Sequence, residues 1–145
     1  MGAMTGAVGI LGEGRIATAL MKRWGDCPDS ESPPLLGGGS AGTSMPLEYM
    51  ARRVEILVVD GEPVEALAVL EELRRPACED VIVVSAVPGL GRARLREAAG
   101  ERPRLFRAVA NAGAIHGKGF TILCHEPGVP QSSIAAAVLE RLMDW

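Results

Sequence analysis

Residues Ala7 to Trp24, AVGILGEGRIATALMKRW, set a short apolar run directly before Gly12-Glu13-Gly14, with apolar residues then spaced helically at Ile16, Ala19, Leu20 and Trp24. An apolar run that breaks into a G-x-G turn and continues with a 3.6-residue period is the strand, turn and helix of a βαβ unit. Gly12 suits the tight turn, Gly14 lets backbone approach an anion, and Ala17 is small enough for the helix to close on the strand. The N–H groups of the first helical turn have no partner inside the helix and would face a diphosphate. Gly12, Glu13, Gly14, Arg15 and Ile16 are therefore the candidate dinucleotide-binding turn. The competing reading is a tight βα turn without a ligand. It draws weight from Glu13, whose carboxylate would oppose phosphate unless Arg15 or Lys22 offsets it.

The rest of the chain repeats the strand and helix alternation. Val54 to Val59 (VEILVV) and Val81 to Ala86 (VIVVSA) are apolar, β-branched runs of the kind buried in parallel sheets. Between them, Glu62 to Leu73 has Val64, Leu67, Leu70 and Leu73 at helical spacing, with Pro76 as a stop. Pro46 to Arg53 suits a short helix capped by Ser44. Arg92 to Ala99 reads as a helix ended by Gly100, and Leu105 to Ala110 and Phe120 to Cys124 read as strands. Ser132 or Ser133 would cap a last helix reaching Met143. The Pro-, Ser- and Gly-dense stretch Asp26 to Met45 reads as a flexible loop, with Leu35-Leu36 its one candidate for a short strand. The pattern predicts a Rossmann-like, doubly wound, mostly parallel sheet with helices on both faces.

The 145 residues are 48% hydrophobic, enough for one domain with a core, taken as residues 4–145. Met1-Gly2-Ala3 before Met4 reads as an added remnant. A net charge of −3 without a basic cluster argues against nucleic acid as a partner. No apolar run is long enough to span a bilayer and no signal-peptide pattern opens the chain, so a cytoplasmic location is expected. Cys27, Cys78 and Cys124 lack metal or redox spacing and read as reduced thiols; no metal site is expected.

Three segments resemble the amino-terminal domain of pyrroline-5-carboxylate reductase. GILGEGRIATAL is similar to that family's G-x-G-N-M-A turn, and VIVVSAVPGL to its strand entering an A-G-I turn. RLFRAVANAGAIHGKGFTIL is similar to its R-V-M-P-N-T-P-A-x-x-G-x-G segment, with Asn111, Ala114, Gly117 and Gly119 at the family's spacing. The resemblance covers nearly the whole chain but only about half of the family protein, leaving out its carboxy-terminal helical dimer domain. It implies a Rossmann fold, an NADP or NAD cofactor, a cyclic imine as substrate, and a homodimer or partner chain that supplies the missing domain. Departures fall at the sheet's functional edge. Val59-Asp60-Gly61-Glu62-Pro63 puts acids where the family has V-K-P, and Asn111-Ala112-Gly113 replaces N-T-P. The second strand ends in Gly37-Gly38-Gly39-Ser40, without an acid for the adenosine ribose or an Arg for a 2′-phosphate. Glu13, Asp60 and Glu62 would together surround a polyanion with negative charge.

Within this frame Ser40, Asp60 and Ser85 join the turn residues as cofactor-binding candidates. Asn111 would hydrogen-bond a nicotinamide, its ribose or a substrate carbonyl, or stabilise its own turn. His116 would protonate an imine nitrogen as hydride arrives, or be an ordinary loop histidine. Lys118 would hold a carboxylate or phosphate, or be a surface lysine. Ser85 would donate to a ligand or hold the next turn. Three functions follow: an NAD(P)H-dependent imine reductase of reduced size, a non-redox member that binds, cyclises or isomerises a small molecule in the former cofactor cleft, and a non-catalytic subunit.

Overall fold

Every apolar residue of the two central runs is buried, because each run lies inside a sheet covered on both faces. The computed structural model describes residues 8–12, 14–15, 17–18, 35–38, 47–74, 81–101, 103–110 and 121–125. Its strands are β1 (Val8–Leu11), β2 (Leu35–Gly38), β3 (Ile56–Val59), β4 (Ile82–Ser85), β5 (Arg104–Ala110) and β6 (Thr121–His125). Its helices, among the described residues, are α1 (Leu47–Ala51), α2 (Pro63–Glu72) and α3 (Arg92–Ala99). A further helical turn follows β1 at Arg15, Ala17 and Thr18.

The sheet order is β2-β1-β3-β4-β5-β6. The first five strands are parallel and β6 pairs antiparallel with β5. From β1 the chain steps outward to β2 on one side, then returns to place β3 on the other. The strand order reverses between β1 and β3, which opens a crevice at their carboxyl ends. Leu11, Val59, Ser85 and Arg107 lie in one register row across the sheet, and β5 continues three residues past that row to Ala110.

On one sheet face Leu57, Val59, Val83 and Leu105 form a core with Met50, Leu70, Leu73 and Leu95 from the helices. On the other, Ile56, Val58, Ile82, Val84 and Phe106 are equally buried. Pro63 opens α2 at a position where a missing N–H costs nothing, and Glu65 in its first turn complements the helix dipole. Past the end of α2, Arg74 turns to α3: its Nε donates to the Ala98 carbonyl at 2.9 Å, and its Nη2 to that of Glu97. A cation there satisfies carbonyls that the helix leaves free and opposes the negative end of its dipole. Arg96 holds the next link, its Nη1 donating to the carbonyls of Gly100 at 2.9 Å and Pro103 at 2.8 Å.

Two sequence expectations change. The glycine-rich stretch contains a strand, since Leu35 to Gly38 pair with Val8 to Leu11. Glycine lowers intrinsic strand preference, but the backbone still carries both ladder groups, and pairing with β1 decides the outcome. In α2, Val64 is 80% exposed, and the core contacts come from Ala66, Leu70 and Leu73. The helix starts at Pro63, so the i, i+4, i+7 row that meets the sheet begins at Ala66. The Ser44 cap, the later part of the opening helix, the last helix, Cys27 and Cys78 lie outside the described residues. Among the described residues no helix is long and apolar enough to cross a membrane.

The corrected face of α2 predicts contrasting costs. Leu70→Ala should lose about 2–5 kcal/mol of unfolding free energy. Val64→Ser should stay within about 0.5 kcal/mol of the wild type. Urea unfolding followed by far-UV circular dichroism measures both.

Candidate functional site

The crevice between the carboxyl ends of β1 and β3 has a glycine turn on one wall and a buried acid on the other. Gly12 adopts φ 106°, a conformation that L side chains rarely take. A Cβ there would lie 1.8 Å from the backbone oxygen of Asp60. Gly14 starts the helical turn: the Thr18 N–H donates to its carbonyl at 3.0 Å and the Thr18 hydroxyl to the same oxygen at 2.9 Å. A Cβ on Gly14 would fall 2.3 Å from the carboxyl carbon of Asp60 and from its Oδ2. Both glycines are therefore required by the closeness of one residue on the neighbouring strand.

Asp60 continues the ladder beyond β3, its N–H donating to the Leu11 carbonyl at 2.9 Å. Alternation along the strand turns its side chain to the face of Val58, toward the opening helix. There Oδ2 accepts the Ala17 N–H at 2.8 Å and Oδ1 accepts the Gly61 N–H at 2.8 Å. The residue is 6% exposed, and among the described residues no Lys or Arg forms an ion pair with it. Its charge is met instead by N–H dipoles, one of them in the first turn of a helix, where the macrodipole favours an anion. Asp60 thus caps the helix from 43 residues away.

The three acids expected to crowd this edge are not equivalent. Asp60 is built into the crevice, Glu62 is exposed at the N-cap of α2 without a side-chain cap bond, and Glu13 lies outside the described residues. Arg15 is exposed on the first turn. Ser85 ends β4 with 1% exposure, and its Oγ accepts the Val87 N–H at a long 3.4 Å. The hydroxyl holds its own turn. Gly12, Gly14 and Asp60 come together, while Ser85 stands one strand further along the sheet. Ile16, Ser40, Asn111, His116, Lys22 and Lys118 lie outside the described residues, although β5 ends at Ala110 immediately before Asn111. The sequence reading treated Ala17 as a small packing residue and missed its N–H as the donor to Asp60. An Asp-Gly pair closing a buried strand was the available signal, but nothing in it names the partner.

The place of this crevice in the sheet is that of a dinucleotide site. It lies at the switch point, Gly12 and Gly14 bring backbone close, and the N–H groups of a first helical turn have no partner within the helix, that of Ala17 being taken by Asp60. The Asp60 carboxylate takes part of the space that the missing Gly14 side chain leaves, so the cradle is shared with the chain's own anion. Among the described residues no three His, Cys, Asp or Glu side chains group for a metal.

Comparison with solved structures finds the same fold. The pyrroline carboxylate reductase of Plasmodium falciparum, solved with NADP bound, matches with a TM-score of 0.76 at 22% identity, over 99% of this chain and 56% of that one. A pyrroline-5-carboxylate reductase from Coxiella burnetii matches with a TM-score of 0.77 at 18% identity, over 97% and 56% of the two chains. Prephenate dehydrogenase from A. aeolicus, in complex with hydroxyphenyl propionate and NAD+, matches more distantly, with a TM-score of 0.64 at 12% identity over 98% and 57%. The chain spans little more than half the length of each. No protein-family model matches the sequence, and no curated protein matches it significantly. The fold is Rossmann-like, the one found in pyrroline-5-carboxylate reductases and, more distantly, in other nicotinamide-dependent dehydrogenases.

If Gly14 is glycine because Asp60 lies against it, the two positions are coupled. Gly14→Ala should cost roughly 1–3 kcal/mol of stability. In an Asp60→Gly background the same change should cost at most about 0.5 kcal/mol, a non-additivity that a double-mutant cycle of urea unfolding reads directly.

Proposed function

We propose that this chain is the dinucleotide-binding part of an NAD(P)H-dependent reductase acting on a cyclic imine or a related small molecule. The observation that carries the reading is the position of the glycine turn: Gly12 and Gly14 face the carboxyl end of β3 at the switch point of the sheet. The solved structures of the same fold add support, two of them being described with NADP or NAD+, as do the segments similar to pyrroline-5-carboxylate reductase. The readings without redox chemistry gain nothing from these comparisons.

In this reading Gly12, Glu13, Gly14, Arg15 and Ile16 supply the turn that receives the diphosphate, with Asp60 fixing the turn on β3. Ser40 is assigned to the adenosine half, and Ser85, one strand beyond β3, holds the turn after β4. When bound, the reduced nicotinamide supplies a hydride to the imine carbon. Asn111 orients the nicotinamide or the substrate, and His116, as the imidazolium, gives a proton to the imine nitrogen and is left as neutral imidazole, so that an amine leaves. Hydride transfer requires an oriented site shielded from water. In this reading a second copy or a partner chain contributes to that shielding. We place the protein in the cytoplasm.

Titration with NADPH and with NADH, followed by nicotinamide fluorescence and by calorimetry, should show saturable binding of at least one of them. Absence of binding by both at high micromolar concentration rejects the reductase reading.

A further inference from the structure

Asp60 is the buried charge that a dinucleotide site does not call for. In a crevice that receives a diphosphate, N–H donors attract the ligand, and a carboxylate within a few ångströms opposes it. Here the carboxylate takes one of those donors for itself, the Ala17 N–H at 2.8 Å. Its place is fixed rather than incidental: the backbone is locked to Leu11 on β1, the residue is 6% exposed, and two neighbouring glycines leave room for its carbonyl and its carboxylate. The electrostatic work that a ligand phosphate would do at the head of the opening helix is already being done by the protein.

We propose that Asp60 is an internal anion that sets the affinity of this crevice for the dinucleotide. It secures the helix to β3 in the free protein, and it weakens binding by holding the Ala17 N–H and by repelling the incoming diphosphate. The inference rests on the reading of the crevice as a dinucleotide site. Removal of the negative charge therefore strengthens binding, and removal of the side chain makes the fold depend on an added anion.

The test compares the full chain with Asp60→Asn and Asp60→Gly, using NADPH titration by fluorescence and thermal melts with and without NADPH or inorganic pyrophosphate. Asn keeps the volume and one acceptor oxygen. Asp60→Asn should bind NADPH about tenfold more tightly than the wild type, a change of about 1.4 kcal/mol. Asp60→Gly should melt at a lower temperature alone and show a larger upward shift with either anion than the wild type. If the wild type binds NADPH and neither variant binds it more tightly, the role of Asp60 is overturned and the dinucleotide reading stands. If only the variants bind either dinucleotide, the role of Asp60 stands and the native reductase reading fails. If none of the three binds NADPH or, titrated in the same way, NADH, both fall. Should Asp60→Gly not fold, the comparison of Asp60→Asn with wild type decides.

Discussion

One carboxylate joins the two halves of this fold. The strands on either side of the switch point share a ladder, but the opening helix must also be held over the end of β3. Asp60 does this through the Ala17 and Gly61 N–H groups. Hydrogen bonds to a charged acceptor are worth about 1.5–3 kcal/mol each, set against the cost of withdrawing the carboxylate from water. That cost is kept within reach because the acceptor faces the positive end of a helix dipole rather than hydrocarbon alone. Gly14 must leave space for this carboxylate, and Gly12 for the backbone carbonyl of the same residue.

This gives the G-x-G turn two explanations that the sequence cannot separate. A glycine can be present because a ligand phosphate approaches it, or because another part of the chain does. At Gly14 the observed neighbour is internal. The fingerprint therefore establishes the fold more firmly than the ligand, and the dinucleotide reading draws its weight from the position of the turn in the sheet and from the shared architecture.

Much of the architecture was legible because it depends on patterns local to the chain. The runs at Val54 to Val59 and Val81 to Ala86 contain β3 and β4, and the Arg92 to Ala99 helix has the expected ends. What was not legible depends on partners distant in sequence. β2 is a strand because β1 is beside it, despite Gly37 and Gly38. Val64 has the right spacing for a buried face but sits at the open start of its helix. By sequence Asp60 is a cofactor-binding candidate and one of three acids that surround a polyanion with negative charge. Its burial and its bond to Ala17 arise from a contact across 43 positions that no local pattern encodes.

The overhang of β5 has a geometric consequence. Three strand intervals separate β1 from β5, about 14 Å, and the three residues beyond the shared row raise the end of β5 by about 10 Å. The end of β5 at Ala110 is thus a ledge two strands beyond the crevice, well away from Gly14. A compact molecule can rest at one or the other. Only an elongated one, with its two ends chemically distinct, can be read by both.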